Sequence, residues 1–269
     1  KWNPPCEKAD LFLLSAHSDD DQLFFAGLLP YYAGEMGYKT QLVYFVNHKD
    51  ENNRIHELLD GLWVTGVSNY PVIGPFPDIF CNSLEEAKQA YKNAGYGEEM
   101  ITKYITELLR RFRPLVVVGH DEKGEYGHGT HALSTYILKK ALEAAPDANA
   151  FPESAEKYGT WDVPKTYLHL YTENQIVMDW DKPLEHFERK TAFQVSQEAF
   201  AYHKSQHWTW FYSWLYGKSG NKITLASQIN YCSPSKYGLF RTSVEQDKLK
   251  NDLFENIMTY GEQDAAEAL

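Results

Sequence analysis

Residues 10–16 read Asp-Leu-Phe-Leu-Leu-Ser-Ala, and residues 115–119 read Leu-Val-Val-Val-Gly. Each run is short, apolar and bounded by polar residues, which is the pattern of a strand buried on both faces of a sheet. Two further strand-like runs, residues 39–46 and 70–73, are separated from these by amphipathic helical segments. The alternation of strands and helices predicts an α/β fold with a mainly parallel sheet and helices on both faces.

The same pattern assigns the remaining elements. From about residue 146 onward it weakens, and residues 146–164 are predicted to form a loop. We therefore expect one domain over residues 1–269 with a less regular C-terminal third, residues 146–269. Helices are predicted over residues 22–36 (interrupted at Pro30), 53–67, 98–112, 130–145 and 183–202, and a strand over residues 166–171.

Composition excludes several classes of function. The chain has 269 residues, 43% of them hydrophobic, which is enough for a large core. Its net charge of -11 makes it a poor partner for a phosphate backbone, so nucleic acid binding is not expected. Its apolar runs are shorter than the ~20 residues that a membrane span requires. The expected partner is a small molecule, and the sequence leaves the oligomeric state open.

Each of the two strongest predicted strands is followed by a loop rich in metal-ligating side chains. The first loop is residues 17–21, His-Ser-Asp-Asp-Asp, and the second is residues 124–131, Gly-Glu-Tyr-Gly-His-Gly-Thr-His. The carboxyl ends of parallel strands lie at one edge of the sheet, where a reversal of strand order creates a binding crevice. His17, Asp20 and one histidine of the second loop would supply the three protein ligands of a catalytic zinc site.

Both loops also have simpler interpretations. The three aspartates could cap the helix that follows, since carboxylates are favoured at helix N-termini. The second loop could be a glycine-rich surface turn with two solvated histidines. The position of His17 directly after a buried strand, together with the second loop, favours the metal site.

The two loops resemble the motifs of the PIG-L/LmbE-like N-acetylglucosaminyl deacetylase family, AHPDDE and GxYGHPDH. This chain has AHSDDD at residues 16–21 and GEYGHGTH at residues 124–131. The resemblance implies a Rossmann-like, LmbE-like α/β fold with one zinc ion (Zn²⁺) per chain. It extends to Arg54 and Glu57, to Asp78 after Pro77, and to residues 190–206.

The resemblance implies zinc-dependent hydrolysis of the N-acetyl group of an N-acetylglucosamine-type sugar or glycoconjugate, with release of acetate and a free amine. Zinc would lower the pKa of its bound water and polarise the amide carbonyl. The implied metal ligands are His17, Asp20 and His131, and Asp19 is the implied base that activates the metal-bound water. His128 would stabilise the oxyanion or protonate the amine, and Tyr126 would polarise the carbonyl. Arg54 and Asp78 would contact sugar hydroxyls.

The chain departs from the family motifs at four positions. Ser18 replaces a proline, which we expect only to loosen the turn, and Asp21 replaces a glutamate, which leaves its role open. Gly129 and Thr130 replace Pro-Asp, whose aspartate can orient the histidine that corresponds to His128. Either a carboxylate of Asp121, Glu122 or Glu125 orients His128 in its place, or His128 is less charged in this chain.

Other polar and aromatic residues have ordinary explanations. Without the resemblance, Arg54 and Glu57 would be interpreted as a surface ion pair. His48 and His120 lie near predicted strand ends, where we expect supporting or solvated histidines rather than ligands. The aromatic residues of segment 208–216 could line a sugar site, but a packed cluster or an interface is favoured.

Two alternative functions remain. One is a metal-dependent amidase acting on a non-sugar N-acyl substrate, against which the implied sugar contacts argue. The other is a catalytically silent carbohydrate-binding protein, against which Asp19 argues, because a pure binder needs no base beside the metal. The sequence does not identify the sugar.

The cysteines and the first residue bear on localisation. Cys6, Cys81 and Cys232 are widely spaced and predict neither a disulfide framework nor a cysteine zinc site, although one pair could form a bridge in a secreted protein. The sequence begins at Lys1 rather than a methionine, as it would after removal of a secretory signal. With the aromatic content and a site suited to saccharides, this favours a secreted or envelope protein over a cytoplasmic one.

Overall fold

The computed structural model describes residues 1–268, apart from the side chain of Asn52. Leu269, the last residue of the predicted domain, lies outside the described residues. The strands are β1 (Leu11–Ser15), β2 (Thr40–Val46), β3 (Val72–Phe76), β4 (Val116–Gly119), β5 (Lys165–His169), β6 (Gln175–Val177), β7 (Gly217–Lys218), β8 (Asn221–Lys222) and β9 (Lys236–Thr242). The α-helices are α1 (Asn52–Val64), α2 (Leu84–Asn93), α3 (Glu98–Phe112), α4 (Gly129–Ala144), α5 (Pro152–Tyr158), α6 (Ala192–Phe200), α7 (Trp210–Tyr216) and α8 (Tyr260–Glu267).

Seven strands form one sheet in the order β3-β2-β1-β4-β5-β9-β6. The pairs from β3 to β5 are parallel, whereas β9 is antiparallel to both β5 and β6. Strands β7 and β8 form a separate hairpin. The predicted α/β fold with a mainly parallel sheet is confirmed.

Each central strand is buried on both faces because its successive side chains point to opposite sides of the sheet. In β1, Leu11 and Leu13 belong to one hydrophobic cluster, which also contains side chains of α1 and α6. Phe12 and Leu14 belong to the other cluster, which contains side chains of α2, α3 and α4. The helices therefore cover both faces of the sheet, as predicted.

The predicted helix over residues 22–36 is wrong at its start. Residues 18–27 form consecutive turns, and a turn of π-helix, Pro30–Glu35, follows. Gly27 has φ +94°, and a Cβ atom there would lie 2.4 Å from Trp180. The turns continue the first loop and pack against Trp180 at Gly27, so tertiary packing overrides the helical pattern of this segment.

The less regular C-terminal third also differs from the prediction. The predicted loop 146–164 contains α5, and strands β6 to β9 and helix α8 of this third were not predicted. Helix α2, which precedes this third, was also not predicted. The predicted helix 183–202 is shortened to α6, because Thr191 and Gln194 form a capping box that fixes its start.

The chain crosses from β1 through β2 and β3 and then returns to β4 on the other side of β1, so strand order reverses between β1 and β4. The two loops follow these strands.

None of the helices within residues 1–268 has the length and hydrophobicity needed to cross a bilayer. The three cysteines are free and buried.

Candidate active site

Three side chains from the two loops converge on one point. His17 Nδ1 lies 3.1 Å from Asp20 Oδ2 and 3.0 Å from His131 Nε2, and the last two atoms are 3.3 Å apart. In a tetrahedral zinc site with bonds of about 2.0–2.1 Å, neighbouring donor atoms lie about 3.3 Å apart. The spacing of the three atoms therefore fits the ligand set predicted from the sequence.

The second nitrogen of each histidine faces a carboxylate. His131 Nδ1 lies 2.7 Å from Glu125 Oε2, and His17 Nε2 lies 3.3 Å from Asp78 Oδ1. A nitrogen that donates its proton to a carboxylate leaves the other nitrogen with a free lone pair. The lone pairs of His17 Nδ1 and His131 Nε2 then lie beside Asp20 Oδ2. These three atoms are the donors that the site presents to a cation.

The charges agree with a cation at this point. Burial lowers the pKa of His17, but the carboxylates of Asp20 and Asp78 outweigh burial and raise it to about 10. Burial also lowers the pKa of His131, but Asp20 and Glu125 raise it to about 9. Burial alone would raise the pKa of Asp20, whereas the two imidazoles hold it well below its usual value. The donor set of two imidazoles and one carboxylate suits zinc.

Asp19 lies beside this set and is held by Arg54. The Nη2 atom of Arg54 donates to Asp19 Oδ1 at 3.1 Å, and its Nε atom donates to Ser18 Oγ at 3.1 Å. Arg54 is buried, so it is not the surface ion pair considered from the sequence alone. The structure places it on Asp19 rather than in an open sugar site.

Ser18 does more than loosen the turn. Its backbone N–H donates to His48 Nε2 at 3.3 Å, and its hydroxyl accepts from Arg54. A proline could make neither bond. The expectation that the serine only loosens the turn is wrong, because the residue ties the first loop to the segment that follows β2 and to α1.

Glu57 binds the late segment that resembles the family. Its carboxylate accepts from the Ser205 backbone N–H at 2.9 Å and from the Ser205 hydroxyl at 2.5 Å. Two stretches that resemble the family, in α1 and in residues 190–206, therefore meet in space.

Asp78 bridges two histidines. Its two oxygens lie 3.3 Å from His17 Nε2 and 3.3 Å from His48 Nδ1. Since His48 Nε2 accepts the N–H of Ser18, its Nδ1 carries the proton that faces Asp78. The structure thus places the predicted sugar contact behind a predicted metal ligand.

His128 is oriented by the backbone. Its Nδ1 accepts the Thr130 N–H at 3.1 Å, which leaves Nε2 as the protonated nitrogen of a neutral ring. Burial, together with the neighbouring His17 and His131, lowers the pKa of His128 to about 2. The three candidate carboxylates have other partners: Asp121 accepts from Lys123, Glu122 binds Lys139 and Glu125 binds three histidines. The geometry favours the alternative in which His128 is less charged.

The Gly-Thr replacement fits its surroundings. A Cβ atom on Gly129 would lie 2.3 Å from the Ser83 carbonyl oxygen, and the Gly129 N–H donates to the Cys81 carbonyl at 2.7 Å. The Thr130 hydroxyl donates to the Ile79 carbonyl at 2.8 Å. The segment before α2 therefore packs where the proline and aspartate of the family motif would stand.

Aromatic rings surround the remaining side of the site. Tyr126, in the left-handed region with φ 47°, lies with its ring 5.6 Å from His128 and 5.5 Å from Trp210. Phe80, 67% exposed, lies 5.0 Å from His128 on another side. Burial raises the pKa of Tyr126, so its phenol keeps its proton. Segment 208–216 is packed through Trp214, but it also brings the half-exposed ring of Trp210 to the site.

The hydrogen-bond network behind His131, which is centred on Glu125, was not predicted from the sequence. Glu125 was considered only as a partner of His128, yet it accepts from His120, His131 and His169. His120 is fully buried against His131, so it is a supporting histidine rather than a solvated one. His169 lay inside the predicted strand 166–171, and only the structure shows that it is the last residue of β5.

Comparison with known proteins shows which family this chain is similar to. The family described as PIG-L, GlcNAc-PI de-N-acetylase, matches residues 12–142. The 1D-myo-inositol 2-acetamido-2-deoxy-alpha-D-glucopyranoside deacetylase 1 of Catenulispora acidiphila is 24% identical over 195 residues, which cover 64% of this chain and 59% of the relative. The mycothiol S-conjugate amidase of Streptomyces coelicolor is 26% identical over 223 residues, which cover 71% of this chain and 68% of the relative. The chain spans 23%, 59% and 60% of the first three curated relatives, less than two thirds of their length.

A solved structure agrees in fold. The N,N'-diacetylchitobiose deacetylase of Pyrococcus horikoshii, in complex with its inhibitor MPG, superimposes with a TM-score of 0.60 and 15% identity, covering 88% of this chain and 85% of that chain. This likeness establishes the LmbE-like fold alone. Together with the sequence matches, it confirms the resemblance first inferred from the two loop motifs.

Proposed function

We propose, from the similarity of residues 12–142 to the PIG-L family, that this chain is a zinc-dependent deacetylase of an N-acetylglucosamine-type saccharide. The observation that supports the proposal is the convergence of His17, Asp20 and His131 beside the carboxylate of Asp19. These three residues would hold the ion. Zinc, when bound, supplies Lewis acidity, which lowers the pKa of water and polarises an amide carbonyl.

Asp19 is the proposed proton carrier. In this role it accepts a proton from the attacking water and then delivers it to the nitrogen of the departing amine, so that one carboxylate serves as base and acid in turn. The bond from Arg54 holds its Oδ1 atom in place, and Oδ2 is then the oxygen free to take the proton.

His128 and Tyr126 are the proposed donors to the developing oxyanion. Since the Thr130 N–H occupies Nδ1 of His128, Nε2 carries the hydrogen that can be donated. The Tyr126 phenol, which also keeps its proton, is a second donor. Donors fixed in advance around a developing negative charge are among the strongest contributions to catalysis.

The aromatic rings beside the site support a saccharide over a non-sugar amide. Tyrosine and tryptophan rings combine an apolar face with a polar edge, which matches the two kinds of surface on a pyranose ring. Trp210 offers such a ring next to Tyr126, and the exposed Phe80 adds a purely apolar ring next to His128.

Acetate release from N-acetylglucosamine and its oligosaccharides tests the proposal, with zinc-loaded protein and the variants Asp19→Asn and Asp60→Asn. Asp60 is exposed on α1 and serves as the matched control. Release that disappears in Asp19→Asn and persists in Asp60→Asn is the expected result. A protein that binds zinc but releases no acetate from any of these sugars would contradict the proposal and favour the amidase alternative.

A further inference from the structure

The carboxylate of Glu125 is fully buried and receives four hydrogen-bond donors. Its Oε2 atom lies 2.8 Å from His120 Nδ1 and 2.7 Å from His131 Nδ1. Its Oε1 atom lies 2.6 Å from His169 Nδ1 and 3.1 Å from the Asp121 backbone N–H, which donates to it. The oxygen that faces His131 can keep its direction only if the other oxygen is held.

His169 has acceptors at both of its ring nitrogens. Nδ1 faces Glu125, and Nε2 lies 2.8 Å from the Ser233 carbonyl oxygen. A carbonyl can only accept a hydrogen bond, so Nε2 carries a proton. A second proton must lie between Nδ1 and Oε1, on one atom or the other, and the Glu125–His169 pair is therefore neutral as a whole.

The imidazole of His169 cannot move away from this position. It lies at the last residue of β5, is fully buried, and packs with its ring 6.3 Å from Phe24 and 5.7 Å from Phe25. Ser233, just before β9, fixes the far nitrogen. The chain from Ser233 through His169 and Glu125 to His131 thus connects the C-terminal third of the protein to the second loop.

His120 makes different contacts from those of His169. Its Nε2 accepts the Ala16 N–H at 2.9 Å, so the ring is neutral and ties β4 to the end of β1. It shares Oε2 with His131 and does not contact Oε1. His169 is the one side chain of the described network that restrains Oε1.

We propose that His169 is a positioning residue for the metal centre, which holds Glu125 so that Glu125 fixes the ring of His131. The inference rests on the proposed metal site and adds a residue outside both loop motifs. Removal of a direct partner of a metal-ligating histidine, here Glu125, costs roughly 10–100-fold in metal affinity, and for His169, which acts through Glu125, we expect the lower end of that range.

Two variants separate the contacts of His169. In His169→Asn the amide nitrogen can take the place of Nδ1 and restore the bond to Glu125, whereas in His169→Gln it takes the place of Nε2 and restores only the bond to Ser233. Zinc affinity is measured by chelator competition, and the visible spectrum of the cobalt-substituted protein reports the ligand geometry. His203→Asn, at a buried histidine outside the network, is the control for loss of a buried ring.

We expect His169→Gln to lose roughly tenfold or more in zinc affinity with an altered cobalt spectrum, and His169→Asn and His203→Asn to stay near the wild type. Equal affinities for His169→Asn and His169→Gln, with circular dichroism showing that both are folded, would overturn the proposal. A wild-type protein that binds neither zinc nor cobalt would instead overturn the metal centre on which it rests.

Discussion

His203 provides a stability test with a calculable size. It is buried at the end of α6, its two ring nitrogens have no hydrogen-bond partner among the described residues, and its ring stacks on Phe200 at 5.7 Å. Burial lowers the pKa of His203 from 6.5 to about 4; among the charged groups nearby, Asp19 and Glu57 act to raise it and Arg54 acts to lower it. The folded protein therefore keeps this imidazole neutral at a pH where the unfolded chain protonates it.

The sign and size of the effect follow from that difference. Because the unfolded state takes up a proton first as the pH falls below 6.5, the free energy of unfolding decreases from there down to about pH 4. A shift of this size costs about 2 kcal/mol at pH 5 and about 3 kcal/mol once the pH is below both values. Above pH 7 the group contributes no pH dependence.

The perturbation is His203→Phe, which keeps a ring on Phe200 and removes the titration. Urea unfolding followed by circular dichroism, at several pH values between 8 and 5 and with chelator present, gives the free energy of unfolding of both proteins. Wild type should lose about 2 kcal/mol more than the variant over this range. Any strain from the larger ring shifts the variant equally at every pH and does not affect the comparison.

A matched variant controls for the loss of an exposed histidine. His56 lies exposed on α1, and His56→Gln should retain the wild-type slope. Parallel pH profiles for wild type and His203→Phe would refute the reasoning, since they would mean that the buried imidazole is protonated or solvated in the folded state.

Three other substitutions test packing at the site and a buried ion pair away from it. Gly129→Ala should lower deacetylation at least about tenfold, since the new Cβ meets backbone at 2.3 Å, whereas Gly97→Ala, at a glycine with open space around it, should not; kcat/KM for the two variants checks this. Ser18→Pro, which restores the residue of the family motif, should lower kcat in the same assay rather than preserve it. Lys165→Met should cost about 3–5 kcal/mol in urea unfolding, because it leaves Asp247 buried without the ammonium that lies 2.5 Å away; a loss below 1 kcal/mol would show that the carboxylate is protonated or hydrated instead.

The departures from the family motifs are linked by these contacts. Ser18, Arg54 and His48 form one group of hydrogen bonds, and Gly129 and Thr130 pack against residues 79–83. The replacements at Ser18, Gly129 and Thr130 each remove a feature of the motif and supply a contact elsewhere in this chain. A single restoring substitution is therefore expected to disturb the site.

The central sheet and the location of the site could both be predicted from residue patterns. Buried strands such as residues 10–16 and 115–119 have a local pattern, and helix α3 was predicted with its observed bounds, residues 98–112. The two loops at the carboxyl ends of β1 and β4 were placed together by topology alone, and family resemblance named the same three converging side chains. These features depend on residues close together in the chain or on a general rule for parallel sheets.

The contacts that hold these side chains could not be predicted and are seen only in the folded protein. The partners of Asp19, His17 and His131 are Arg54, Asp78 and Glu125, and the ring behind Glu125 comes from the end of β5. Residue spacing gives no account of such contacts, since they form when separate elements pack and each buried polar atom must find a partner. The winding of residues 22–27 has the same cause, because packing against Trp180 outweighed local helical preference.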